Sequence, residues 1–115
     1  MGLAVGVALV VVPALFLGVL GIQIDSAGTA LARLYGAELL GFNVATVLGR
    51  QGSAVRPIVL GHVVNESLTA IIFVGAAISG LGNGLLWPLA GLAALFAVGF
   101  ALVANQFRRA DPARA

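Results

Sequence analysis

Two carboxylic acids stand inside stretches that otherwise read as lipid-embedded helix. Glu66 sits in GHVVNESLTA, residues 61–70, and Glu38 in LYGAELLGFN, residues 34–43. His62, Asn65, Glu66, Thr69 and Phe73 follow an i, i+3, i+4, i+7, i+11 spacing, which lines one face of a helix. Tyr35, Glu38, Phe42 and Thr46 do the same on the preceding stretch, with Asn43 nearby. An ionised side chain at mid-membrane costs ~2.5–3.5 kcal/mol on insertion scales. Such residues therefore need protonation, hydrogen bonds to neighbours such as Asn43, Asn65, Tyr35, Thr46 and Thr69, or something external to face. Three kinds of chemistry follow: interhelical hydrogen bonding, contact with a ligand or partner, and proton or small-solute conduction past Glu38 and Glu66.

His62 is the single histidine. Bis-histidine haem and three-histidine zinc are excluded for this chain alone. A single axial contact to a pigment or haem stays open beside the plainer reading of a polar residue near a helix start. With no cysteine, disulfides, iron–sulfur clusters and thiolate catalysis are excluded. GLGNG lacks the lysine and preceding strand of a phosphate loop, and no HExxH spacing occurs. These absences point away from an enzyme; no catalytic or metal residue is assigned. The candidate contact stripe is Glu38, Asn43, His62, Asn65, Glu66 and Thr69.

The elements that must carry these residues follow from composition. Of 115 residues, 61% are hydrophobic and 9% charged, with mean hydropathy +1.13. Soluble chains are nearer ~25% charged, so the solvent for this surface is lipid. Four stretches approach the ~20 apolar residues of a transmembrane helix: about 2–22, 29–49, 57–79 and 85–105, followed by a polar tail, 106–115. The expectation is one domain, an all-α integral membrane four-helix bundle with antiparallel neighbours. Pro57 and Pro88 fall in first turns, and Pro13 kinks the first span. That span lacks the positive n-region of a cleaved signal.

All six basic residues are arginines, five of them at predicted membrane edges. The pI near 10.6 therefore fits topology and lipid headgroups, not nucleic acid. Arg50, Arg56, Arg108, Arg109 and Arg114 fall on the side that would hold both termini, which are expected to be cytoplasmic. Arg33 either snorkels to the opposite headgroups or pairs with Asp25. Trp87 suits an interfacial anchor.

On ~1.5 Å per residue, Glu66 lies about 15 Å from the edge at Arg56, and Glu38 about as deep from the other side. A hairpin centred near Ser53 brings both acids to one depth. Small residues four apart supply close contacts: Gly2 and Gly6, Ala32 and Gly36, Ala37 and Gly41, Ala76 and Gly80, Ala90 and Ala94.

The segments ARLYGAELLGFNVATVLGR and RPIVLGHVVNESLTAIIF, then a fourth span opening LLWPLAGLAALF, resemble small uncharacterised bacterial four-helix membrane proteins of the DoxX-like kind. The resemblance covers the last three spans. It implies a four-helix bundle in a bacterial inner membrane and carries over no catalytic residues.

Together these features point first to a non-catalytic accessory subunit packed on a larger membrane complex of respiratory or photosynthetic type. The competing expectations are an autonomous homo-oligomeric conduit for protons or small solutes, and a lipid, quinone or pigment binder using His62. Expected partners are membrane lipids and other membrane subunits or a second copy.

Overall fold

The computed structural model describes residues 1–110; of the tail expected from 106, residues 111–115 lie outside that range. The described chain is helical throughout, in five helices. They are α1 (Gly2–Val11), α2 (Pro13–Val19), α3 (Ser26–Gly49), α4 (Val55–Ile78) and α5 (Leu86–Ala110).

This corrects the four-helix bundle of four spans. Only α4 and α5 are by themselves long and apolar enough to cross a membrane. The first apolar stretch is two helices, bent by 120° at their junction. Pro13 has no N–H for the Leu9 carbonyl, and it pushes Val12 out of the helical region, to φ −132°, ψ 53°. What composition reads as a kink is a break, and α2 turns back toward the α4–α5 connection. The second expected span, α3, is long enough to cross but not apolar enough. Arg33 and Glu38 both lie exposed on its surface, where no neighbouring helix offsets their cost. The arginine argument for two cytoplasmic termini counted four crossings and loses its footing with them.

Two antiparallel pairs make up the molecule. In the first, α1 crosses α3 where Gly6 faces Gly36. A Cβ on Gly36 would lie 2.8 Å from Leu9 Cβ and 2.9 Å from the Gly6 carbonyl oxygen, so the two backbones touch. In the second, α5 buries Ala90, Ala93, Ala97 and Ala104, a stripe of small side chains that lets α4 approach. Of the small pairs expected from sequence, Gly2/Gly6 and Ala32/Gly36 serve the first crossing. Ala37, Gly41 and Ala94 are exposed.

The pairs join at two places. Near the α3–α4 turn, Ile58 lies over Gly49 and the Phe42 ring over Gly61, as a hairpin centred near Ser53 requires. At the far end, the Asn83 N–H donates to the Leu20 carbonyl (2.9 Å) and its amide nitrogen donates to the Val19 carbonyl (3.1 Å). Gly21 and Gly82 make this junction at φ +74° and +81°, a region open to glycine. Leu86, fully buried, plugs it.

The molecule measures 50 × 27 × 18 Å and exposes 7358 Å². A compact soluble protein of its mass would expose roughly 5,800 Å². Leu34, Leu48, Val64, Ile71, Ile72, Leu95 and Leu102 are among the side chains left outward. Water would not tolerate that surface; lipid or protein covers it. Trp87, exposed at the start of α5, suits the anchor expected of it.

Candidate functional site

Between the two pairs, past the point where α3 and α4 diverge, lies a cavity of about 440 Å³. Drug-sized ligands occupy pockets of ~300–1,000 Å³. The α4 stripe lines it as the periodicity predicts: His62, Asn65, Glu66, Thr69 and Phe73. From α3 come Ala32, Tyr35, Leu39 and Asn43; α1 adds Leu9, α2 adds Phe16 and is followed by Leu20, and α5 adds Phe96 and Phe100.

His62 holds the end nearest the α3–α4 turn. It is 8% exposed, the one buried polar residue among those described. Its ring stacks on Phe100 (centroids 4.6 Å, 14° between planes) and meets Phe42 at 4.6 Å and 50°. The Thr46 hydroxyl donates to the Phe42 carbonyl (2.9 Å) and lies 2.9 Å from His62 Nε2. A hydroxyl has one proton, so Nε2–H donates to the Thr46 oxygen. That assignment makes Nδ1 the bare acceptor, and it is buried without a partner. Nε2 is thus engaged with Thr46, and Nδ1 is buried. Its position is that of a wedge fastening α4 to α3 and α5.

Glu66 is the twelfth residue of the 24 in α4 (66 − 55 + 1), hence at mid-span. It is half-buried, and no hydrogen bond reaches it among the described residues. Asn65, Thr69 and Tyr35 are likewise without protein partners there. The Asn43 amide nitrogen donates to the Leu39 carbonyl within its own helix (2.8 Å), leaving its side-chain oxygen open. The hydrogen bonds expected to join the acids to these groups are not made.

Glu38 is not part of the cavity. It lies exposed on α3 outside the cavity lining, and no hydrogen bond or ion pair joins it to Glu66 among the described residues. Gly36 and Glu38 are two residues apart, about 200° around a helix. Once Gly36 packs on α1, Glu38 must face outward. Nor does Arg33 pair with Asp25: the Asp25 carboxylate caps α3 by accepting from the Gly28 N–H at 2.7 Å. The wall also holds three aromatic rings that the sequence does not single out. Phe16, Phe96 and Phe100 lie on helices whose apolar residues point in every direction, so periodicity could not single them out.

Among the described residues, no cluster of three or more His, Asp or Glu side chains could hold a metal ion. Comparison with known proteins finds no family model, no curated protein and no solved structure that matches the chain.

Proposed function

We propose that this chain is a non-catalytic membrane protein that holds a small amphipathic molecule in the cavity between its helix pairs. One observation carries the reading. Glu66, Asn65, Thr69 and Tyr35, none with a protein hydrogen-bond partner among the described residues, line a cavity whose remaining wall is largely apolar. Polar groups left unpaired in a largely apolar setting cost free energy unless a guest or water satisfies them. A molecule with one hydrogen-bonding end and an apolar body would do so.

The test is extraction in mild detergent followed by native mass determination. The expected result is a small molecule retained at one per chain and lost from an Ala32→Phe variant, whose ring would enter the cavity from α3. A chain of bare polypeptide mass, unchanged in behaviour by Ala32→Phe, would sink the proposal.

A second reading, an accessory subunit packed against another membrane helix, rests on α3. Its outward side exposes Leu34, Leu48 and the Glu38 carboxylate together, and Gly41 has nothing within 4 Å. A partner that hydrogen-bonds Glu38 would remove the cost of leaving it in lipid. The two environments give opposite signs. Against lipid, Glu38→Leu removes a cost of ~2.5–3.5 kcal/mol. Against a partner, it removes an interhelical bond worth ~0.6 kcal/mol, up to about 1.7. The subunit reading expects Glu38→Leu to weaken the native assembly, seen as a shift to lower mass. A variant that is more stable and unchanged in mass would overturn it. A bacterial inner-membrane location, which the DoxX-like resemblance implies, belongs to the same proposal.

A further inference from the structure

The cavity carries a single side-chain carboxylate, Glu66, and no arginine lines it. The sole other titratable groups on its walls are Tyr35 from α3, the Met1 amine beside α1, and His62, whose nitrogens are bonded or covered. Five aromatic rings line the same cavity: Phe73 two turns on along α4, Tyr35 on α3, Phe16 on α2, and Phe96 and Phe100 on α5, the last with one face covered by His62. Phe96 and Phe100 lie one turn apart, with ring centroids 6.4 Å from each other.

We infer that the guest is a hydrophobic organic cation, its charge set against the Glu66 carboxylate and its apolar groups against these rings. Three features argue for that class. A carboxylate without a protein partner at mid-span attracts a positive charge more strongly than in water, because little solvent screens it. Aromatic faces carry the negative end of a quadrupole, so they favour a cation and disfavour an anion. An apolar wall rejects small hydrated ions, which would lose their water without enough ligands to replace it. Asn65 and Thr69, on the Glu66 side of α4, supply hydrogen bonds to an ammonium or to a polar substituent beside it. The inference rests on the cavity being a binding site and adds the charge of what binds there.

The experiment uses two probes of one shape and opposite charge, tetraphenylphosphonium and tetraphenylborate, with a neutral hydrophobic fluorophore as the third. Binding to the intact chain in detergent micelles is measured by equilibrium dialysis. The expected result is saturable phosphonium binding near one per chain and none for borate. Glu66→Gln should weaken phosphonium binding at least about tenfold, and Glu66→Asp should keep most of it. Preference for cation over anion in the unaltered protein decides the matter even if Glu66→Gln fails to fold. Saturable uptake of the neutral fluorophore without any cation preference would overturn the cation inference and leave the binding site standing. Failure of all three probes to saturate would overturn both.

Discussion

Replacing His62 with alanine should separate the two halves of the molecule. The ring is buried, stacked on Phe100 of α5 and set against Phe42 of α3, and its Nε2–H reaches Thr46 on α3. No other residue on α4 touches two further helices through both rings and a hydrogen bond among the described residues. Truncating a buried aromatic side chain to alanine costs about 3–5 kcal/mol in soluble proteins. Part of that is transfer from water, which lipid does not repeat between helices; lost packing and the vacated space remain. The expected loss is about 2–4 kcal/mol. His62→Phe separates packing from hydrogen bonding. It keeps the stack and removes only the bond to Thr46, at roughly 0.6–1.7 kcal/mol, and Thr46→Val should cost about the same. Denaturation midpoints in detergent micelles give the order. If His62→Phe is as damaging as His62→Ala, the hydrogen bond outweighs the stack and the wedge description fails.

The same residue shows what a sequence can and cannot reveal here. The face containing His62, Asn65, Glu66, Thr69 and Phe73 was legible because periodicity along one helix is a one-dimensional property, and every member lines the cavity. Which face of α3 lies opposite was not legible. Tyr35–Glu38–Phe42–Thr46 and Tyr35–Leu39–Asn43 are overlapping stripes on a helix whose small residues occur all round. The choice is made by the contact of Gly36 with Gly6, a relation between two helices that no spacing within one of them encodes. Glu38 therefore reads as the partner of Glu66 but stands outside the cavity lining, turned away from the α1 contact. Pro13 gave a similar half-answer. Its missing N–H announces a defect at that point, but the bend depends on what α2 meets afterwards. It meets Asn83, whose backbone and side chain bond the Leu20 and Val19 carbonyls. At α3 the length of the apolar stretch misled: Arg33, Glu38 and Asn43 together bring its mean hydropathy below that of a helix able to cross alone.

Gly36→Leu should be the most disruptive of the glycine substitutions. A first carbon on Gly36 already falls 2.8 Å from Leu9 Cβ, 2.9 Å from the Gly6 oxygen and 3.0 Å from the Val10 nitrogen. Two of those three atoms are backbone, which cannot rotate aside as a side-chain tip can. The remaining leucine carbons have no space unless α1 lifts from α3. Overpacking of this kind costs about 1–3 kcal/mol and occasionally more; with two backbones in contact, the upper end is expected. Displacing α1 also moves Leu9 and Val5 from the cavity wall, so retention of the bound molecule should fall together with the denaturation midpoint. Gly99→Leu is the control, since nothing lies within 4 Å of that position. Leucine there gains about 0.8 kcal/mol of helix propensity and should be neutral or stabilising. Gly41 is equally open in the isolated chain, but it shares the outward side of α3 with Glu38. Gly41→Leu should leave the midpoint of the isolated chain unharmed and yet weaken any assembly built on that side. If Gly36→Leu and Gly99→Leu behave alike, the α1–α3 crossing does not hold the fold, and the cavity wall it supports would need another cause.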